Sequence, residues 1–249
     1  MTEPLRELQG RVVLVTGASR NIGRKLAEEF ASAGAAVVIN TRNSHREATE
    51  LAAMLHARGH KALVAIADVT DRGAVDDMVR LVVDEFGRLD ILINNAVAHG
   101  YTSFEQMSFE TWSRTLAVTL HGTFNCTQAV IPHLLKAGGG SIVNMGGMFG
   151  HKPHAGRSAT STAKAGLAGL TRALALELAS RNINVNYVAP GPVNTVREVP
   201  ARVDPATIPL GRFAEIHEVT GLIRLLCSPA GRYITGQTIH VNGGSYMNA

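Results

Sequence analysis

The stretch RVVLVTGASRNIGRKLAEEFASAG, residues 11–34, carries the strongest indication of the fold. It opens with a short apolar run (11–16) and continues into a segment whose apolar residues recur every three or four positions, the period of a helix. These residues are Ile22, Leu26, Phe30 and Ala33. Between strand and helix lies a turn in which Gly17 permits a tight bend and Gly23 permits close packing of the helix on the strand. The N–H groups at the start of such a helix can receive a pyrophosphate.

The same alternation of apolar run and helical segment continues along the chain. The runs fall at 11–16, 36–40, 62–67, 90–94, 141–145, 183–189 and 238–242. Because these runs are apolar on both faces, they predict strands covered by helices on both sides, as in a parallel sheet. The sequence therefore predicts an α/β protein: a single doubly wound Rossmann-type domain, residues 1–249, with a seven-stranded parallel sheet flanked by helices. The proline-rich stretch near 190–215 is expected to be a mobile substrate loop.

Composition narrows the classes of partner. The chain has 249 residues, of which 45% are hydrophobic and 18% charged, and its net charge of +4 is spread without a basic block. This pattern argues against a nucleic-acid surface. Cys126 and Cys227 stand far apart, without metal-ligand or dithiol spacing, so we expect buried reduced thiols and no metal site. The first ten residues lack an apolar signal core, and no later stretch is typical of a membrane span, so we expect a cytoplasmic protein.

The glycine turn TGASRNIG, residues 16–23, resembles the TGxxxGxG motif of the short-chain dehydrogenase/reductase family. Asn21 replaces the middle glycine of that motif, and asparagine tolerates the left-handed backbone better than most residues. Further matches follow the family's order along nearly the whole chain. They are Asp68–Val69, Asn94–Asn95–Ala96, Pro190–Gly191 with Thr195, and YITGQTIHVNGG at 233–244.

The resemblance implies a dinucleotide site at the end of the sheet. In the family pattern Asp68 and Val69 border the adenine, Asn94 and Ala96 line the ribose, and Val188 lies on the nicotinamide side with the loop that follows it. The full set of implied cofactor-binding residues is Gly17, Ser19, Arg20, Asn21, Ile22, Gly23, Arg42, Asp68, Val69, Asn95, Ala96, Lys164, Pro190, Gly191, Val193 and Thr195.

The residues at the end of the second strand favour NADP(H) over NAD(H). NAD enzymes of this type place a carboxylate there, which bonds the ribose 2′-hydroxyl and repels a 2′-phosphate. This chain has Asn40, Thr41 and Arg42 instead, and Arg20 lies in the glycine turn. Two guanidinium groups near one corner suit a phosphate.

Four family positions that carry out proton exchange can be located by resemblance, and three of them are substituted. The family's asparagine, serine and tyrosine correspond to Thr119, Gly147 and Thr160, whereas the lysine is retained as Lys164. Thr160 and Lys164 are four residues apart and share one helix face. A threonine hydroxyl is a much weaker acid than a phenol, so we expect altered proton delivery. Lys164 can still bind ribose hydroxyls, and Thr160 stands where the family has its tyrosine.

Several groups are candidates for the missing acid. His154, with His151 as an alternative, lies in the loop before the helix of Lys164, and histidine titrates near neutral pH. Tyr101 follows the fourth strand and can bring a phenol to the site, whereas Tyr187 is expected to pack in the core. Nearby hydroxyls, which can orient a substrate or cap the helix, belong to Ser158, Ser161 and Thr162.

Two interpretations of function stay open. In the first, the chain is an NADP-dependent oxidoreductase acting on a small carbonyl, imine or alcohol, with Lys164, Thr160 and His154 as the catalytic candidates. In the second, it is a non-redox protein of the same fold, either a lyase or hydrolase or a regulatory dinucleotide-binding subunit, because function belongs to the site and not to the fold. By resemblance we also expect a homodimer or homotetramer formed through helices near 108–136 and 157–180.

Overall fold

A computed structural model describes residues 6–98, 100–196 and 203–247. The described chain forms one seven-stranded sheet, all of whose neighbouring strands are parallel, in the order β3-β2-β1-β4-β5-β6-β7. The strands are β1 (Val12–Val15), β2 (Ala36–Thr41), β3 (Ala62–Ile66), β4 (Ile91–Asn94), β5 (Gly140–Met145), β6 (Ile183–Pro190) and β7 (Thr238–Val241). Each lies within one residue of the apolar run that predicted it, and the predicted doubly wound α/β fold is confirmed.

Helices cover both faces of the sheet. They are α1 (Asn21–Ser32), α2 (His45–Ala57), α3 (Arg72–Phe86), α4 (Phe109–Leu116), α5 (Gly122–Lys136), α6 (Ser158–Leu178) and α7 (Ile216–Cys227). One buried apolar cluster joins α1, α2 and α7 to the sheet, and a second joins α3, α5 and α6 to the opposite face. Successive β1 residues alternate between these clusters, Val13 in the first and Leu14 in the second, because strand side chains point to opposite faces.

The reversal of strand order places a crevice between β1 and β4. Val15 pairs with Ile93, and Asn94 pairs with Asn144, so the turns that follow β1, β4 and β5 leave the sheet at one edge. In open α/β sheets this carboxyl edge, at the point where strand order reverses, is where ligands bind. The fold therefore brings the glycine turn and the residues after Met145 to the same side of the molecule.

Part of the predicted loop near 190–215 lies outside the described residues, at 197–202. On either side of that gap, Val193 forms an isolated parallel bridge with Ala214, and Pro205–Thr207 forms a single 3₁₀ turn. The mobile substrate loop and the single domain 1–249 stay predictions. Within the described ranges, no helix is long and apolar enough to cross a membrane.

Candidate functional site

The glycine turn after β1 is held rigidly by the residues that follow β4. The side-chain amide of Asn95 donates to the carbonyl oxygens of Thr16 and Gly17, at 2.9 Å each. In return, the Thr16 hydroxyl accepts from the backbone N–H groups of Asn95 and Ala96, at 2.9 and 3.0 Å. Gly23 is required by close packing, since a Cβ there would lie 2.3 Å from the Gly17 oxygen. The start of α1 is thereby fixed against the sheet edge, with its first-turn N–H groups available to an anion.

Asn21 begins α1 in the left-handed region, with a φ of 51°, as its residue type allows. Its side chain also forms a connection that the sequence did not reveal. The amide nitrogen donates to the Val196 oxygen at 3.1 Å, and the amide oxygen accepts from the Val196 N–H at 3.0 Å. Asn21 therefore ties the glycine turn to the loop after β6, across the crevice where the cofactor is expected.

The end of β2 presents one arginine and no carboxylate of its own. Asn40 is buried, and its amide donates to the backbone oxygens of Ala65 and Ala67, so it braces β2 against β3. Arg42 is partly exposed and forms an ion pair with Asp68, Nη1 to Oδ2 at 3.2 Å. Burial works to raise the pKa of Asp68, but hydrogen bonds from Thr70 and Arg42 outweigh it and lower the pKa below its ordinary value. The predicted adenine and phosphate residues thus lie side by side.

The other predicted cofactor residues are distributed along the same edge of the sheet. Ser19 is buried within the glycine turn, Arg20 immediately precedes α1, and Val69 is buried beneath the start of α5. Gly191 packs so closely on Asn242 that a Cβ would lie 2.8 Å from the Asn242 Cα. Thr195 follows in the same loop and is half-buried.

Lys164 is the only one of the three catalytic candidates that is both buried and ionisable. Its Nζ donates to the Met145 backbone oxygen at 2.6 Å, which places the ammonium at the carboxyl end of β5. Burial lowers the pKa of Lys164 to about 7. No ion pair to Lys164 occurs in the described part of the chain. This amine can therefore gain or lose a proton near neutral pH.

The three positions at which the resemblance implies substitutions lie on α6, on a turn that contacts α6, and directly before another such turn. Thr160 is buried one helical turn before Lys164. Thr119 is buried in a π-helical turn, Ala117–His121, which joins α4 to α5 and contacts α6. At Gly147 a Cβ would meet no atom within 4 Å. A larger residue at that position therefore has room, and π-helical turns are frequent at functional sites.

The structure corrects one expectation drawn from the resemblance. The Asn94 side chain is turned into the core, where its amide donates to the Asn144 side chain at 2.9 Å and to Thr127 at 3.2 Å. Asn144 in turn donates to the Thr171 hydroxyl at 2.9 Å. Because strand side chains alternate, Asn94 points away from the crevice and its side chain cannot line a ribose.

Tyr187 packs in the core, as predicted, and its hydroxyl also contacts the backbone of Gly147 at the candidate site. Its ring is fully buried, and its hydroxyl accepts from the Gly147 N–H at 3.2 Å and lies 3.3 Å from the Gly147 oxygen. Burial raises the pKa of the Tyr187 phenol well above its usual range, although the Gly147 hydrogen bond lowers it. This phenol is therefore a poor source of protons for a bound substrate.

The loop between Gly147 and α6 holds the remaining acid candidates. His154 is exposed and its ring packs edge-on against Phe149, 6.3 Å between centroids. His151 instead packs among Tyr187, His240 and Tyr246. Burial, reinforced by Arg172, lowers the pKa of His151. His154 is thus the more exposed histidine of the two.

Hydroxyls at the start of α6 do not cap it. The residue preceding the helix is Arg157, with no side-chain capping bond, and the buried hydroxyl oxygens of Ser158 and Ser161 have no hydrogen-bond partner among the described residues. Of the two roles open for these serines, capping is not observed. Tyr101 is about half exposed and contacts Arg157, whose guanidinium carbon lies 5.5 Å from the ring centroid.

Four bracing contacts were not foreseen from the sequence: those of Thr16, of Asn21, of Asn40 and of the Tyr187 hydroxyl. Thr16 and Asn40 end their strands with polar residues after apolar runs, which is a usable signal. Tyr187 lies inside an apolar run like any other buried strand residue, so nothing in the sequence indicates its contact with Gly147. Within the described ranges, no group of three or more His, Cys, Asp or Glu residues is arranged to hold a metal ion.

Comparisons with known proteins agree with this geometry. Residues 17–246 match the family described as enoyl-(acyl carrier protein) reductase. A 3-oxoacyl-(acyl-carrier-protein) reductase of Synechocystis is 40% identical over 243 residues, covering 96% of this chain and 98% of the relative. A (hydroxy(phenyl)methyl)succinyl-CoA dehydrogenase subunit of Thauera aromatica is 38% identical over 253 residues, covering 97% of this chain and 99% of the relative.

Among solved structures, a short-chain dehydrogenase of Burkholderia cenocepacia in complex with NADP superimposes with a TM-score of 0.90 at 34% identity. The match covers 96% of this chain and 99% of that one. With a match over nearly the full length, the fold and the sequence lead to the same assignment: this chain belongs to the short-chain dehydrogenase/reductase family of oxidoreductases.

Proposed function

We propose that this protein is an NADP(H)-dependent oxidoreductase that acts on a small carbonyl, imine or alcohol and exchanges the proton through a group other than tyrosine. The observation that carries the proposal is the position of Lys164. Its ammonium is buried at the end of β5 against the Met145 oxygen, one turn beyond Thr160. A buried lysine without an ion pair is costly, and a role at a cofactor site accounts for it.

NADP(H) is favoured over NAD(H) by the charges at the end of β2. Arg42 lies there without a neighbouring carboxylate on its own strand, and Arg20 lies at the start of α1. Asp68 pairs with Arg42 and orients it. A 2′-phosphate can be received by the same guanidinium, since arginine binds phosphate in a bidentate manner. The Burkholderia relative, which is bound to NADP, supports this choice.

The residues present fit such a cofactor. Gly17 has a φ of 61°, and a Cβ there would lie 3.1 Å from the Ala96 Cα, so only glycine leaves the turn open to a pyrophosphate. In our proposal Ala96 and Lys164 hold the ribose next to it, and Gly191 lies on the nicotinamide side. When bound, the nicotinamide supplies or accepts a hydride. The chain's own residues bind the substrate, exclude water and move the proton.

Of the three catalytic candidates, we infer that Lys164 moves the proton. Its lowered pKa lets it act as acid or base near neutral pH, whereas the Thr160 hydroxyl is too weak an acid. In our proposal Thr160 lines the space that a tyrosine would occupy and leaves room for a water or a substrate oxygen within reach of the ammonium. His154 is the alternative donor, and its exposure allows exchange with solvent.

A non-redox protein of the same fold is the second candidate. The observation that favours it is the state of Tyr187, the one phenol that contacts the Gly147 backbone among the described residues, which is buried away from solvent. If the buried Tyr187 phenol cannot exchange protons, the site can bind a dinucleotide without turnover. The Synechocystis and Thauera relatives are named for substrates carried on acyl carrier protein and on CoA, so acetoacetyl-CoA is a suitable first substrate.

Deuterium transfer separates the two candidates. The protein is incubated with stereospecifically deuterated NADPH and acetoacetyl-CoA, together with a panel of small ketones, aldehydes and cyclic imines. Deuterium in a product supports the oxidoreductase. Tight NADPH binding with no label in any product supports the non-redox protein, and NADH binding as tight as NADPH contradicts the cofactor assignment.

We also propose that the protein forms a homodimer or homotetramer through the helices predicted for that role. The first predicted helix, near 108–136, corresponds to α4 and α5, and the second, near 157–180, corresponds to α6. Exposed apolar side chains on these helices support the proposal. They are Phe109, Phe124 and Leu176. Sedimentation equilibrium of the wild type and of Phe124→Glu tests it, since a buried glutamate would weaken the association.

A further inference from the structure

Two histidines from distant parts of the chain pack against each other beside the last strand of the sheet. His151 follows the 3₁₀ turn Met148–Gly150, and His240 lies on β7. Their ring centroids are 5.0 Å apart, and the two rings are inclined at 79°. The Tyr246 ring lies 4.9 Å from that of His240 and stacks on that of His151 at 6.1 Å. We call these three residues, His151, His240 and Tyr246, the histidine cluster.

The histidine cluster offers its imidazoles no counter-charge. Nε2 of His151 and both ring nitrogens of His240 are shielded from solvent and have no hydrogen-bond partner among the described residues. Neither ring forms an ion pair within that part of the chain. The sequence accounts for this, since no Asp or Glu occurs at 111–176 or 219–249, the two ranges that contain the cluster.

The charged and titratable groups around the histidine cluster are positive or neutral. Arg172, on α6, acts on His151 as a positive charge. Lys152 contacts the chain next to Tyr246, where its Nζ donates to the Ser245 oxygen at 2.8 Å. From β6 the Tyr187 phenol faces His151, 5.6 Å between ring centroids, and burial raises the pKa of that phenol above its usual range. None of these groups can neutralise a protonated imidazole.

Protonation of the histidine cluster is therefore opposed. Burial lowers the pKa of His151, and the positive charge of Arg172 adds to this effect. Burial also lowers the pKa of His240, and His151 adds to it. A proton on either ring creates a cation that is shielded from water and has no anionic partner. A second proton places a like charge on the neighbouring ring, so the packed cluster is stable only while both rings are neutral.

The histidine cluster holds the segment that follows β7. This C-terminal segment, residues 242–247, contains turns and bends but no helix or strand. Tyr246 contributes its ring to the cluster, and its backbone oxygen accepts from the Asn242 side-chain amide at 2.8 Å. Asn242 in turn packs on Gly191, where a Cβ would lie 2.8 Å from the Asn242 Cα. The segment therefore connects the cluster to the start of the loop after β6.

We propose that the histidine cluster is an acid-sensitive contact: its neutral rings hold the C-terminal segment in place, and their protonation releases it. In the released segment both imidazoles are exposed and titrate near their ordinary pKa of about 6.5. Because the packed rings have the lower pKa, the packed state binds fewer protons than the released state. The contact therefore has its full strength above this pH and weakens as the pH falls through about 6.5.

Hydrogen exchange of the C-terminal segment measures its release. The full-length apoprotein is labelled in D₂O at pH ~7.5 and at pH ~5.5, on either side of the ordinary histidine pKa. Exchange in the peptide that contains residues 242–247 is followed by mass spectrometry. Each rate is divided by the intrinsic rate of an unstructured peptide at the same pH, so that only protection by structure is compared. We expect protection of the segment to fall at least about threefold at the lower pH.

Variants without titratable rings show whether the histidine cluster is responsible. The double variant His151→Gln/His240→Gln should have the same protection at both pH values. His240→Phe keeps an aromatic ring on β7 without its charge, so it should lose part of the pH dependence and stay protected at the higher pH. His45→Gln, at an exposed histidine that begins α2, is the matched control and should keep the full pH dependence of the wild type.

Two outcomes overturn the proposal: protection of the C-terminal segment that is equal at both pH values in the wild type, or a pH dependence of wild-type size that persists in the double variant. If the double variant does not fold, as judged by circular dichroism, His240→Phe and the single variant His151→Gln carry the same comparison. The measurement uses the apoprotein without substrate. Failure of the oxidoreductase proposal, seen as absent deuterium transfer, therefore leaves this result unaffected.

Discussion

The ring of Tyr187 occupies the space that a side chain at Gly146 would need. A Cβ on Gly146 would lie 1.8 Å from the Tyr187 Cζ and 2.2 Å from its hydroxyl oxygen. Two residues far apart in the chain are therefore complementary in shape: Gly146 has no side chain, and the large Tyr187 ring fills the space beside it. The Tyr187 hydroxyl also accepts from the Gly147 N–H, so the pair fixes the backbone at the end of β5.

This complementarity predicts that replacement by alanine destabilises the protein much more at Gly146 than at the adjacent Gly147. Gly146→Ala should destabilise the protein by more than about 2 kcal/mol, because a buried ring cannot move aside at low cost. Gly147→Ala should change stability by less than about 1 kcal/mol, since its Cβ meets open space. Urea unfolding midpoints of the two variants measure the difference.

A double variant checks the cause. Tyr187→Ala alone should cost roughly 3–5 kcal/mol as a cavity. Adding Gly146→Ala to it should then cost little or nothing. Additive losses in the double variant would show that the ring is not what excludes a side chain at Gly146.

Asn21 should be replaceable by glycine at lower cost than by alanine. Its φ of 51° strains any residue with a Cβ, by about 1–2 kcal/mol, and asparagine offsets this through two hydrogen bonds to Val196. Asn21→Ala loses the bonds and keeps the strain, whereas Asn21→Gly loses only the bonds. Thermal unfolding of the apoprotein should therefore rank wild type above Asn21→Gly and Asn21→Gly above Asn21→Ala. The reverse order for the two variants would refute the backbone argument.

The elements of the fold were predictable because their signals are local. Each strand is an apolar run covered on both faces, and each lies within one residue of its predicted bounds. The positive φ of Asn21 followed in the same way from its residue type and its place in the turn. Periodicity and turn chemistry report on neighbours in sequence, and these features depend on nothing more.

The contacts that shape the candidate site were not predictable because they join distant residues. Asn94 was expected beside a ribose, but its side chain lies on the face of the sheet where it contacts Asn144 on the next strand. The fit of Tyr187 to Gly146 is a matter of volumes across two strands. Nor does any local pattern mark the π-helical turn that contains Thr119. The sequence indicated candidate residues for the site, and packing decided which way their side chains face.

Burial of Lys164 predicts a pH-dependent cost in stability. The folded pKa is about 7 and the unfolded value is 10.5, so between these values the unfolded chain binds more protons. Stability of the wild-type apoprotein should therefore rise with pH through this window, by up to about 1.4 kcal/mol for each pKa unit. Lys164→Met removes the titration while keeping a side chain of similar length. Its stability gain over wild type should be largest at or below pH ~7 and vanish near pH ~10.5.

Matched pairs isolate this effect from other titrating groups. Tyr187, His151 and His240 are present in both proteins, so their contributions cancel in the difference between wild type and Lys164→Met. Lys61→Met, at an exposed lysine before β3, is the control and should show no such slope. A difference between wild type and Lys164→Met that does not vary with pH would mean that the Lys164 amine is not shifted by burial.

Introducing the residues that the family pattern has at these positions should raise carbonyl reduction above the level of the wild type. Gly147→Ser has room for its side chain, and Thr160→Tyr places a phenol one turn from Lys164. Together with Thr119→Asn, these changes supply a positioned acid, which is worth about 10²- to 10⁴-fold in rate. We expect acetoacetyl-CoA reduction by NADPH to rise by a factor in that range, measured at 340 nm, and to fall back when Lys164→Ala is added. If the wild type is as active as the triple variant, its own proton donor already suffices. If wild-type activity is retained in Lys164→Ala and also in His154→Ala, neither residue supplies the proton.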